Sequence, residues 1–159
     1  NELIVNMLHI KRTDSTDPDF ISLVRLLDAD LAVRDGDDHA FYAQFNKVAS
    51  LQHVVVGYAE GAAVTCGAFK PFDEKSVEVK RMYTMPEMRG RGFAAQILLE
   101  LEQWASEVGY ARCVLETGKK QPEAIALYLK SGYAIIPNYG QYTGVENSVC
   151  FEKKIALGS

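Results

Sequence analysis

The runs HVVVGYA (53–59) and AAVTCGAF (62–69) stand two residues apart, around Glu60-Gly61. Both are rich in β-branched and apolar residues. A two-residue link containing glycine suits the tight turn of a β-hairpin. The middle of the chain is therefore expected to be antiparallel sheet, and every other element has to be placed around that pair.

LHIKR (8–12) reads as an earlier strand. TDSTDPDF then offers turn and capping residues before a helix over about 18–34. Ile21, Val24, Leu27 and Leu31 are expected on its buried face. A second, short helix is expected over 39–49. A strand follows over 76–84, and a long helix begins after Gly92, with Ile97, Leu101, Trp104, Ala105 and Val108 on one face. ARCVLET (111–117) is the next strand, PEAIALYLKSG (122–132) a helix, and YAII (133–136) and SVCFEKKI (148–155) the closing strands. Antiparallel strands followed by one β-α-β crossover make a mixed α+β fold with a mostly antiparallel central sheet. The 159 residues contain no repeat and no low-complexity linker, so one domain over 7–157 is expected.

The helix after Gly92 is preceded by Arg89-Gly90-Arg91-Gly92-Phe93-Ala94. A helix start carries unpaired N–H groups and the positive end of the helix dipole. Glycines let an anion reach those amides, and arginines add charge-assisted hydrogen bonds. A phosphate or pyrophosphate fits. So does a bland basic turn in which glycine serves only geometry. Gly90-x-Gly92-x-x-Ala95 also satisfies the dinucleotide fingerprint, and Glu116 stands where a ribose-binding acid would. Against a nicotinamide site stand KRMYTMPEMR, which is no buried parallel strand, and the short stretch after Glu116, too brief for the second half of such a fold.

The chain resembles the GNAT acetyltransferase superfamily. RGRGFA matches the family's pyrophosphate signature Q/R-x-x-G-x-G/A. MYTMP (82–86) is similar to its L-x-V-x-P strand end, and AIALYLKSGY (124–133) to its A-x-x-L-Y-x-K-x-G-F segment. The resemblance implies acetyl-coenzyme A as donor, held in a gap where strand 76–84 splays from strand 111–117. Met82 and Thr84 would pair with the pantetheine arm through their backbones. Arg89, Gly90, Arg91, Gly92, Phe93 and Ala94 would hold the pyrophosphate, with Lys119 or Lys120 reaching the ribose phosphate.

The acceptor implied is an amine of a small molecule or protein, acetylated by direct attack on the thioester in a ternary complex. Glu78 resembles the family's catalytic glutamate. Its place beside Lys80 also suits a plain structural ion pair. Strand alternation puts Glu78, Lys80 and Met82 on one face. The Met82 amide matches the family's oxyanion donor, and Tyr128 the acid that protonates the leaving thiolate. Tyr128 can equally be a core aromatic. Glu116, Tyr139 and Tyr142 are further acceptor-side candidates, as are His39, Phe41 and Tyr42. A larger acyl group, or a noncatalytic acyl-CoA-binding sensor, would fit the same fold.

The net charge of −4 speaks against a nucleic-acid partner, and no apolar run reaches the ~20 residues of a membrane span. No secretory signal is expected, and a cytoplasmic location is expected. Cys66, Cys113 and Cys150 are odd in number and lack close spacing, so buried reduced thiols are expected. His9, His39 and His53 have no metal-ligand spacing, so no metal is expected. Sheet-edge homodimers are common in the family.

Overall fold

The computed structural model describes residues 7–43 and 50–156. In chain order, β1 (His9–Thr13) leads to α1 (Pro18–Asp35) and α2 (His39–Ala43); the rest of the helix expected over 39–49 lies outside the described residues. Then come β2 (His53–Ala59), β3 (Ala62–Pro71), β4 (Ser76–Thr84), α3 (Phe93–Glu107), β5 (Arg112–Gly118), α4 (Pro122–Lys130), β6 (Ala134–Ile136) and β7 (Ser148–Lys154). The seven strands form one sheet in the order β1-β2-β3-β4-β5-β7-β6. Only β4 and β5 run parallel; the other neighbours are antiparallel. The hairpin turn falls on Glu60-Gly61, with Ala59 opposite Ala62.

Helices cover both faces. Asp17 caps α1, its carboxylate accepting from the amides of Asp19 and Phe20. Phe20, Leu23, Val24 and Leu27 then pack on Val54, Val56, Cys66, Ala68 and Tyr83. This corrects the expected α1 face. Ile21 is exposed, because the buried stripe runs through Phe20 and Leu23 instead. On the opposite sheet face, Ile97, Leu98, Leu101 and Ala105 of α3 join Val55, Phe69, Val77 and Val79, and α4 lies beside them. Val108 falls just past α3 and is exposed, where it was expected on the buried face.

The parallel pair is short. Ser76, Val77 and Glu78 pair with Arg112, Cys113 and Val114, and the two strands then diverge. Val79–Thr84 is left without a strand partner on that side. β5 instead stays paired with β7 as far as Gly118 opposite Ser148.

β4 also carries a bulge. Cys66 faces Tyr83 and Ala68 faces Lys80, so Arg81 and Met82 together oppose Gly67. Arg81 takes a positive φ of 60°, a strained choice for arginine. Its guanidinium is anchored by Asp28 of α1 at 2.7 Å. The bulge overturns the expected alternation. Glu78 and Lys80 stay on the α1 face, whereas Met82 swings to the α3 face and packs on the core there. Gly67 makes room for it: a Cβ at that position would lie 2.5 Å from Met82 Sδ and 2.9 Å from Leu101 Cδ1. Gly67→Ala should therefore displace Met82 and cost about 1–3 kcal/mol in urea unfolding. An unchanged midpoint would mean that the seat has spare room.

Candidate active site

Two adjoining cavities lie where β4 and β5 diverge, and Met82 and Tyr128 border both. The larger lies between α3, α4 and the loop before α3. It encloses about 570 Å³ and is lined by Thr84, Arg89, Gly90, Gly92, Phe93 and Ala94, then by Leu98 and Leu127. Gly90 and Gly92 have φ of 79° and 81°, values that L side chains rarely adopt. Gly92 is the N-cap of α3 and offers no side chain to close the first turn. The first helical amides are thus left for an external acceptor, with a mostly apolar trough beside them.

Arg89 has a structural task as well. Its Nε donates to the Thr84 carbonyl at 2.9 Å, and the guanidinium lies over the Tyr83 ring. This folds the loop back against the end of β4. Arg91 is exposed and does not border the trough. Phe93 contributes backbone only, since its ring is buried with Ala59 and Val64. Lys120 lies away from the trough, its Nζ donating to the Asp35 carbonyl and pairing with Asp38, and Lys119 does not border it. The lysines along the trough are Lys130 and Lys153.

The smaller cavity, about 110 Å³, is roofed by Leu27, Leu31 and Asp35 of α1. Arg34 ties this roof to α4 through an ion pair with Glu123. The floor is Glu78–Met82, and Glu116, Tyr42 and Tyr142 complete the wall. Glu116 receives a hydrogen bond from Ser148 Oγ at 2.7 Å, and Ser148 Oγ lies 2.9 Å from the Tyr42 hydroxyl. Strand register explains the first contact. Gly118 faces Ser148 and Glu116 faces Cys150, so Glu116 and Ser148 are diagonal neighbours on one sheet face. Burial pushes the Glu116 carboxyl up to about 7, against smaller opposing effects of Ser148 and Lys80.

Glu78 is held from several sides. Tyr139 donates its hydroxyl to Oε2 at 2.6 Å, and Lys80 and Lys70 stand 3.6 and 3.9 Å from Oε1. Tyr139 thus backs Glu78 without bordering the cavity, whereas Tyr142 borders it directly. The ion pair with Lys80 anticipated from the sequence is present, though too long for a hydrogen bond. Burial draws the Lys80 ammonium below its usual range, with Glu78 opposing.

Tyr128 is 6% exposed, its ring between those of Tyr133 and Phe151. It packs the core and also borders both cavities. Burial raises the phenol, with Glu116 reinforcing the effect, so the proton stays on at neutral pH.

Asp35, Gln121 and Ser148 were not singled out from the sequence; the roof of α1 and the β5–β7 register bring Asp35 and Ser148 to the site. The three cysteines are free and buried, and burial lifts Cys66 and Cys113 to about 12. Among the described residues no helix is long and apolar enough to cross a membrane.

Comparisons with known proteins agree with the fold. The profile of the acetyltransferase (GNAT) family matches residues 7–133. The IAA acetyltransferase of Azospirillum brasilense is 35% identical over 102 residues, covering 64% of this chain and 67% of that protein. The uncharacterised N-acetyltransferase YjgM of Escherichia coli K12 is 39% identical over 82 residues, covering 50% of this chain and 48% of that protein. The chain thus spans about two thirds of one relative and about half of the other. A solved acyl-CoA N-acyltransferase from Klebsiella pneumoniae superposes with a TM-score of 0.79 at 30% identity, covering 94% of this chain and 99% of that one. With a family match over most of its length and the same fold in a solved relative, this chain belongs to the acetyltransferase (GNAT) family.

Proposed function

We propose that the protein is an acetyl-CoA-dependent N-acetyltransferase in which Glu116 serves as general base and Tyr128 as general acid. One observation carries this reading. An apolar trough ending at free helix amides meets a polar cavity containing a near-neutral carboxyl, and Met82 and Tyr128 stand at the junction.

The trough suits a pantetheine arm, and the amides from Gly90 to Ala94 suit a pyrophosphate. When bound, the donor supplies an activated acetyl thioester. The unpaired stretch of β4 around Met82 and Thr84 can hydrogen-bond the arm as a further strand would. The Met82 amide is assigned to the thioester oxygen. Glu116 takes the amine proton as the C–N bond forms. Tyr128 gives its proton to the thiolate as the C–S bond breaks. Glu116 is preferred to Glu78 as the base. Glu78 is committed to Tyr139 and two lysines, whereas Glu116 has one hydroxyl partner and titrates in the useful range.

Thermal shift and thiol release test the reading. Acetyl-CoA at 100 times its Kd should stabilise by about 2.7 kcal/mol, a rise of roughly 5–10 °C for a domain of this size. A panel of polyamines, aminoglycosides, amino acids and peptides should contain at least one amine that releases free CoA. A melting temperature unmoved by acetyl-CoA but raised by NAD would overturn the donor assignment. Binding without thiol release from any amine would leave the sensor reading instead.

A further inference from the structure

The cavity under α1 is not simply acidic. Asp35, Glu78 and Glu116 border it, but so do Lys80 and Arg81. Lys80 Nζ is enclosed and has no hydrogen-bond partner, and Arg81 Nε is in the same condition. Arg81 is 7% exposed and directs its Nη2 to Asp28. Glu78 Oε2 is already engaged by Tyr139, and its Oε1 forms an ion pair with Lys80 at 3.6 Å that is too long to be a hydrogen bond. Buried N–H groups of charged side chains are costly when unpaired. Two neighbouring residues with this defect, on one wall of a cavity, call for an anionic oxygen from outside. Glu116 on β5, across the gap, calls for an amine.

Resting on the N-acetyltransferase reading, we propose that the acceptor is a small α-amino acid whose carboxylate is read by Lys80, with Arg81 beside it, while its amine faces Glu116. The competing acceptors fit less well. A diamine would place its second cation against Lys80 and Arg81 where little water screens them. A neutral monoamine would leave their donors unpaired. The cavity is small, about 110 Å³, and suits a compact acceptor that carries its amine and carboxylate close together, as an α-amino acid does. Lys80 is on this account a specificity residue, distinct from the acid and base.

The test compares each of several small amino acids with its own carboxamide, which keeps the amine and removes the negative charge, and with 1,4-diaminobutane. Thermal shifts measured with CoA present report acceptor binding, and thiol release from acetyl-CoA reports transfer. At least one amino acid should exceed its carboxamide by about 30-fold in kcat/KM, the scale of a hydrogen bond to a charged group. The carboxamide's amine is the less basic and more readily neutral of the two, so the chemistry alone would favour the opposite order. Lys80→Met should erase the difference and leave the shift by acetyl-CoA intact. Equal or better use of the carboxamide or the diamine overturns the acceptor assignment while the transferase reading stands. So does a preference that survives Lys80→Met. Should no amine release thiol, the transferase reading fails. The binding arm with CoA then decides on its own: selective stabilisation by the amino acid supports the site, and none overturns it. The comparison within the unmutated protein needs no variant to fold.

Discussion

Glu116→Gln is expected to lower kcat/KM about 100-fold at pH 8 and, at the same pH, to make the protein more stable. The activity loss follows from removing a general base, whose contribution is typically 10²- to 10⁴-fold. The stability gain follows from where the carboxyl sits. Burial raises it from 4.5 to about 7, so the fold prefers it protonated. The sign is that of a raised carboxyl. Its favourable contribution is complete below pH 4.5, and is lost as pH climbs through about 7. At ~1.36 kcal/mol for each pKa unit, discounted for the cavity's opening to water, ionised Glu116 costs about 2–3 kcal/mol at pH 8. Glutamine keeps the size and still accepts from Ser148, but never ionises. Denaturant unfolding of the two proteins should nearly coincide at about pH 4 and separate by that amount at pH 8. The unmutated kcat/KM should rise through pH 7 as the base deprotonates. A fully active Gln variant would move the base to Glu78 or to water. Equal stability at pH 8 would show that the carboxyl is well solvated.

Tyr128→Phe should reduce kcat about 100-fold with no change in the thermal shift by CoA. The substitution removes one hydroxyl and nothing else. The ring's contacts with Tyr133 and Phe151 are retained. Tyr128 has no hydrogen-bond partner among the described residues, so no buried group is orphaned by its loss and stability should hold within about 0.5 kcal/mol. The effect should therefore fall on the chemical step alone. A kcat equal to that of the unmutated protein would leave Tyr128 as a packing residue and require another acid. Measured together with Glu116→Gln, the two variants separate proton removal from proton donation. Only the first should alter the pH profile near 7.

Much of the trough at the start of α3 was readable in the sequence because it is local. Gly90 and Gly92 set the turn before α3, and the helix amides they expose are backbone groups that need no distant partner. Pro122 and the ALY segment likewise announce α4 and carry Tyr128 with it. The cavity under α1 was less legible. Glu116 was visible as a strand-end acid, but its titration near neutrality is produced by the α1 roof and by residues far away in the chain. Lys80 read as a partner for Glu78, and that contact exists, yet the sequence does not reveal that it is too long for a hydrogen bond. The clearest miss is Met82. Alternation along β4 put it beside Glu78 and Lys80, and the bulge sends it to the opposite face. That bulge depends on Gly67 in the neighbouring strand and on Asp28 in α1, neither of which a period-two pattern can register.

By itself the sequence determined which segments become strands and helices, where the hairpin turns, and where glycine leaves helix amides without a side-chain cap. These are governed by backbone conformational preference and hydrophobic periodicity, which act over a few residues. The tertiary structure alone decided which side chains share a cavity and what protonation state they favour. Both depend on strand register and on desolvation by packed neighbours, which arise only when distant segments meet.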